Sequence, residues 1–190
     1  TKKSVQKWLD GNFGLQPHNV NYLLPFGYRE KPYKSSIPNL KYRNIEAELQ
    51  VSLKLKIAKN LFGLKERYYL AYTHQAFWQF YIDSSPFRES LYSPEAFVVF
   101  PIDDTDSIFG ARSLTFGFTH ESNGQPDTEG VTFENGESLQ NFSRSINYIY
   151  AKLRLQHEAL VSDWTLLAPV DDLSDNPGIM DYRGYTKVKL

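Results

Sequence analysis

The chain has 190 residues, a formal net charge of −1 and no cysteine. That length suits a single domain. The near-neutral balance removes the electrostatic case for a nucleic-acid partner, and the missing thiols exclude disulfides and thiolate metal sites. Aromatic residues make up 15% of the chain, yet mean hydropathy is −0.47, and no apolar run approaches the roughly 20 residues of a membrane helix. A polar average with many aromatics fits a soluble β-sandwich, and equally a membrane β-barrel whose strands put only alternate residues into lipid.

Residues 1–19 form a polar N-terminal segment anchored by Trp8 and Leu9, read as flexible or plug-like. The rest, 20–190, reads as one β domain. Residues 20–28 predict a strand with Val20, Tyr22, Leu24, Phe26 and Tyr28 on one face, and the proline-containing, basic stretch 29–43 predicts a turn-rich connection. From 45 to 57 the alternation is strict: Ile45, Ala47, Leu49, Val51, Leu53, Leu55 and Ile57 face one way, and Glu46, Glu48, Gln50, Ser52, Lys54 and Lys56 the other. That run is longer than the five or six residues, roughly, of an ordinary strand. Residues 67–80 repeat the pattern, with His74 in the middle of the apolar stripe. A fourth strand covers 92–102, with an irregularity expected at Pro94, which lacks the ladder donor. Two strands follow on either side of a long polar loop, then a weaker one at 160–167. An eighth, 182–190, places Tyr182, Thr186, Val188 and Leu190 on one face. Short and long connections alternate, as they do in outer-membrane barrels. The reading is an all-β, antiparallel transmembrane β-barrel with about eight strands present.

The chemistry gathers where the fifth and sixth strands meet the long loop. His120 and Ser122 are two residues apart, so both point to one face of an extended strand. That face also carries Leu114, Phe116 and Phe118. In the return strand Ser143, Ser145 and Asn147 share parity with Ile149, Ala151 and Leu153. A hydroxyl, an imidazole and a carboxamide thus sit at the end of two apolar stripes, where polar groups carry a desolvation cost unless paired or used. A catalytic serine needs this set: nucleophile, base and an orienting group. Asn123-Gly124 predicts a turn whose backbone N–H groups can approach a substrate. The loop that follows carries Asp127, Glu129, Glu134 and Glu137. It reads either as a solvated loop or as part of a calcium site, since Ca²⁺ takes hard oxygen ligands. His74, on a lipid-facing stripe, is a functional candidate by default, with a second chain as its natural partner.

The H-E-S-N-G motif followed by S-R-S-x-N resembles the outer-membrane phospholipase A family. So do Y-T-x-x-x-F-W-Q around Trp78, S-S-P-F-R-E from Ser84 and D-N-P from Asp175. The resemblance runs in order over about residues 20–190. It implies a twelve-stranded barrel with an active site on its outer wall, and calcium-dependent hydrolysis of phospholipid and lysophospholipid acyl esters by a homodimer. Carried over by position, it implies Ser122 as nucleophile, His120 as base and Asn147 as the orienting residue, with the Gly124 amide in the oxyanion hole. It further implies calcium on the Ser143 hydroxyl and Gln125 carbonyl, with Ser84 supplied by the other protomer. Asp127 and Asp175 match a secondary calcium site, and His74 stands at a dimer-interface position that usually holds glutamine. Against twelve family strands, the domain reads as truncated at its C-terminal end. Two rival readings stand beside this one: a non-enzymatic channel or adhesin barrel, and a soluble β-sandwich binding module.

Overall fold

The computed structural model describes residues 14–33, 40–103, 109–125, 143–170, 173 and 176–190. Among these, nine strands and one short helix follow in chain order. The strands are β1 (Leu15–Pro17), β2 (Tyr22–Tyr28), β3 (Ile45–Lys59), β4 (Arg67–Trp78), β5 (Phe87–Pro101), β6 (Ala111–Ser122), β7 (Ser145–His157), β8 (Leu160–Pro169) and β9 (Thr186–Lys189). The helix, α1 (Ile179–Arg183), lies between β8 and β9. All pairings are antiparallel between sequence neighbours from β3 to β9, and β1 and β2 both pair with β3.

Side-chain exposure gives the sheet its sense. Leu70, Tyr72, Phe116, Phe118, Ile149, Trp164 and Leu166 are exposed, whereas Tyr69, Ala71, Phe97, Thr115, Thr119, Tyr148 and Tyr150 on the alternate parity are buried. Period-two alternation makes these opposite faces of one wall. The inward face carries the charges. Glu95 accepts hydrogen bonds from His18, at 2.8 Å, and from the Tyr150 hydroxyl. Arg154 makes a two-pronged bond to Asp163 at 2.7 and 2.8 Å. A concave cavity of about 470 Å³ runs along this face, lined by Lys54, Glu95, Tyr150, Lys152 and Asp163 among others. Apolar outside and polar inside is the arrangement of a barrel wall in lipid.

The wall is pinned at both ends. At one end Glu46 is almost fully buried. Its carboxylate accepts from Arg88 at 2.8 and 2.9 Å and from Gln79 at 3.1 Å, and the guanidinium packs over Tyr33 and Phe77. Removing one partner of such a buried pair strands the other charge, a loss of about 3–5 kcal/mol. At the far end Glu66 closes the β3–β4 turn by accepting the backbone N–H groups of Phe62 (2.7 Å) and Leu64 (3.0 Å). Burial pushes this carboxyl up, but the backbone donors outweigh it and hold it below the usual carboxylate range. The turn is therefore braced at neutral pH and loosens only as acid titrates Glu66 through that lowered value.

Three expectations change. The N-terminal polar segment supplies a strand, β1, and His18 just beyond it reaches the interior. The single apolar face expected for 20–28 is broken by a bulge between Leu24 and Gly27. Tyr22 pairs with Gln50 and points its hydroxyl at inward-facing Glu48, while Tyr28, beyond the bulge, pairs with Ile45. An extra residue flips every side chain after it. The expected last strand begins later, because Tyr182 and Arg183 belong to α1. Val188 does face out beside Trp164, and Lys187 and Lys189 line the cavity.

Candidate active site on the outer wall

β6 and β7 pair with His120 opposite Asn147 and Ser122 opposite Ser145. His120 Nδ1 lies 2.8 Å from Asn147 Oδ1. A carboxamide oxygen can only accept, so Nδ1 carries the proton and Nε2 is left as the basic nitrogen. Ser122 stands about 6.6 Å further along the same strand and on the same face. Imidazole and carboxamide are thus in contact on the outward side, and the Ser122 hydroxyl belongs to the same face two residues along the strand.

The neighbouring strand shapes the site. Following the register across the outer face, one rung reads Val51, His74, Tyr92, Ser122, Ser145. The Tyr92 ring stacks on His74 with centroids 5.0 Å apart and planes 4° from parallel. It also lies over Gly124, where a Cβ would sit 2.9 Å from Tyr92 Cε2 and where φ is +66°. Glycine alone meets both conditions. Next to His120 the β5–β6 ladder skips from Tyr92↔Ser122 to Glu95↔Thr119, at the place where Pro94 lacks an N–H.

Two interior clamps hold this end of β6. Glu121, between His120 and Ser122 but facing inward, accepts both Arg183 guanidinium nitrogens, and Arg183 also donates to the Tyr148 hydroxyl at 3.1 Å. Asn123, buried, closes the neck of the long loop. Its Oδ1 accepts from the backbone N–H of Arg144 (2.9 Å) and Gln125 (3.3 Å), and its own N–H reaches the Arg144 carbonyl at 3.0 Å. Neither clamp was legible as a functional feature. Asn123 read only as half of a turn, and Arg183 is 62 residues from Glu121 with no pattern to link them.

The predicted metal ligands separate into three groups. Gln125 and Ser143 flank the Asn123 clamp at the loop neck, and the Ser143 carbonyl accepts from the Arg144 guanidinium. Ser84 sits in the β4–β5 connection, exposed, at φ +61°, and forms no hydrogen bond to either among the described residues. Asp127 and Asp175 lie outside the described residues. Among the described residues no group of three or more His, Cys, Asp or Glu could hold a metal. A cation at the neck would therefore meet hydroxyl and carbonyl oxygens, a donor set that suits Ca²⁺.

His74 faces outward as expected, and its Nε2 is buried without a hydrogen-bond partner. The interior cavity contains neither His120 nor Ser122. The two residues face the medium that bathes the outer wall.

Comparison with known proteins decides the family. The phospholipase A1 family model matches residues 2–190. The chain belongs to the phospholipase A1 family. A relative from Neisseria meningitidis serogroup B is 36% identical over 201 residues, covering 96% of this chain and 49% of its own. The chain thus spans about half the length of that relative. The outer-membrane phospholipase A of Escherichia coli superimposes with a TM-score of 0.76 at 27% identity, over 92% of this chain and 69% of that one. The Salmonella typhi outer-membrane phospholipase, solved as a dimer with bound calcium, gives a TM-score of 0.76 at 27% identity, over 92% and 65%. The inside-out sheet of this family member is the wall of a β-barrel of that class, which removes the soluble-sandwich reading.

The Tyr92–Gly124 contact makes a separable prediction. Gly124→Ala adds a clash and αL strain, of order 1–3 kcal/mol. Combining it with Tyr92→Leu frees the space, so denaturant unfolding of the double variant falls short of the summed single losses by about 0.5–3 kcal/mol. Additive losses would mean that the ring does not press on Gly124.

Proposed function

We propose that the chain is the catalytic part of a calcium-dependent outer-membrane phospholipase. It hydrolyses acyl esters of phospholipids and lysophospholipids, with A1, A2 and lysophospholipase activity, in the outer membrane of a Gram-negative bacterium. The observation that carries the reading is the 2.8 Å contact of His120 Nδ1 with Asn147 Oδ1, made on the outward face that also carries Ser122. An oriented imidazole beside a serine on an apolar wall has no structural need that a leucine would not serve better.

In this reading Ser122 Oγ attacks the acyl carbonyl carbon while His120 Nε2 takes its proton. The same imidazolium then protonates the departing glycerol oxygen, leaving the acyl group on Ser122. Water, deprotonated by His120, releases the fatty acid and restores the serine. Asn147 keeps Nδ1 protonated and the ring aligned, but brings no negative charge to steady the imidazolium. The Gly124 N–H donates to the oxygen that becomes negative. Calcium, held by the Ser143 hydroxyl, the Gln125 carbonyl and Ser84 of a second copy, supplies Lewis-acid stabilisation of that charge. Asp127 and Asp175 are assigned to a secondary calcium site.

The homodimer follows from two supports. The relative from Salmonella typhi was solved as a dimer with calcium, and His74 lies on the outward side of the wall with its ring stacked flat on Tyr92. A second copy facing this rung covers the His74–Tyr92 stack and places a second wall beside Ser122.

Fatty-acid release from phospholipid–detergent micelles tests the chemistry. Ser122→Ala is expected to lose activity by several orders of magnitude, and chelation of calcium to abolish wild-type release reversibly. Release by Ser122→Ala at the wild-type rate removes the assignment. For the interface, His74→Leu is expected to lower the yield of chemically crosslinked dimer, and an unchanged yield takes His74 out of the contact.

A further inference from the structure

At the end of the wall opposite His120, the β3–β4 turn is built in an unusual way. Leu61 is 64% exposed, Phe62 77% and Leu64 61%. Such a tip costs solvation in water and carries no interior packing. Yet the turn is not loose. Glu66, with no exposed surface, holds the Phe62 and Leu64 N–H groups, Asn60 Oδ1 accepts the Lys65 N–H at 3.0 Å, and Asn60 N–H reaches the Glu66 carbonyl at 2.7 Å. Asn60, Gly63 and Lys65 all take left-handed conformations to make these bonds. A carboxylate is buried and three residues are placed in the left-handed region to hold three apolar side chains in the open.

We propose that this turn is a membrane anchor, a rigid tip whose Leu61, Phe62 and Leu64 side chains enter the lipid of the leaflet opposite the active site. The proposal rests on the membrane reading above. Its occupant is argued from continuity and chemistry. The outward rung Leu55 with Leu70 is exposed on both strands, and past a bulge between Lys56 and Ala58 the last outward rung pairs Ala58 with half-buried Tyr68, so the apolar belt runs on toward the tip. Phe109, in the β5–β6 connection at the same end, is 83% exposed and extends the apolar rim. Lys59 and Lys65 flank the tip, and ammonium groups beside an apolar insertion suit the phosphate level of a phospholipid leaflet. Lys65 is itself held at 2.5 Å from Asp103, which fixes the two connections of this rim side by side. An anchor of this kind sets the height of the barrel in the bilayer, and hence the depth at which Ser122 meets an ester.

The absence of cysteine makes the test direct. Phe62→Cys and Leu64→Cys variants, each labelled with an environment-sensitive fluorophore, are reconstituted in phosphatidylethanolamine–phosphatidylglycerol vesicles carrying nitroxide lipids. Leu70→Cys serves as the belt control and Glu158→Cys, in the exposed β7–β8 turn, as the water control. Lipid nitroxide is expected to quench positions 62 and 64 severalfold more than position 158, with aqueous iodide showing the reverse order. Glu66→Ala is expected to lower lipid quenching at 62 and leave it unchanged at 70. Iodide quenching at 62 and 64 equal to that at 158 overturns the anchor, and protection from both quenchers overturns it in favour of a protein cover. If position 70 is not quenched by lipid either, the membrane reading fails rather than the anchor alone.

Discussion

Period-two alternation in β6 and β7 sends apolar side chains outward and polar ones to the concave interior, and the placement of the site depends on this sorting. Charges and hydroxyls belong on the inner face, where Glu95, His18, Tyr150, Arg154 and Asp163 satisfy one another. His120, Ser122 and Asn147 break the sorting. They stand on the apolar side, and a hydrogen bond between imidazole and carboxamide removes the desolvation cost of two of the three. A polar constellation kept on a lipid face against that cost is the feature that a lipid-hydrolysing site requires and that a passive wall does not.

Rigidity behind the site comes from the opposite face. Arg183 from α1 grips Glu121 between the two catalytic candidates, and Asn123 ties the strand end to Arg144 across the loop neck. The outer surface then needs no bulky support of its own, and Tyr92 is free to pack flat between His74 and Gly124. One aromatic ring thus touches both the residue proposed for the dimer contact and the glycine proposed for the oxyanion hole. Assembly and chemistry share a rung of the same sheet.

How much could be seen from the sequence follows from how local each signal is. Alternation over residues 45–57 and 67–78 is local, so β3 and β4 were legible, as was the shared face of His120, Ser122 and Asn147. A bulge adds one residue without changing composition, so the face switch between Leu24 and Gly27 was not. Tyr182 and Arg183 alternate as a strand would, and their helix is fixed by Met180 packing into the core and by Arg183 reaching Glu121. The Asn123 clamp and the Tyr92 stack are contacts across strands, set by register, and no spacing within one segment announces them.

The central claim is that the residues of β6 that carry the chemistry look out at lipid. Single spin labels placed in turn from 114 to 122, in reconstituted membranes, test it through collision with oxygen, which partitions into lipid, against a water-soluble nickel complex. Oxygen contact is expected at 114, 116, 118, 120 and 122, and much less at 115, 119 and 121, which face the interior. The reverse alternation, or no alternation, would contradict that claim.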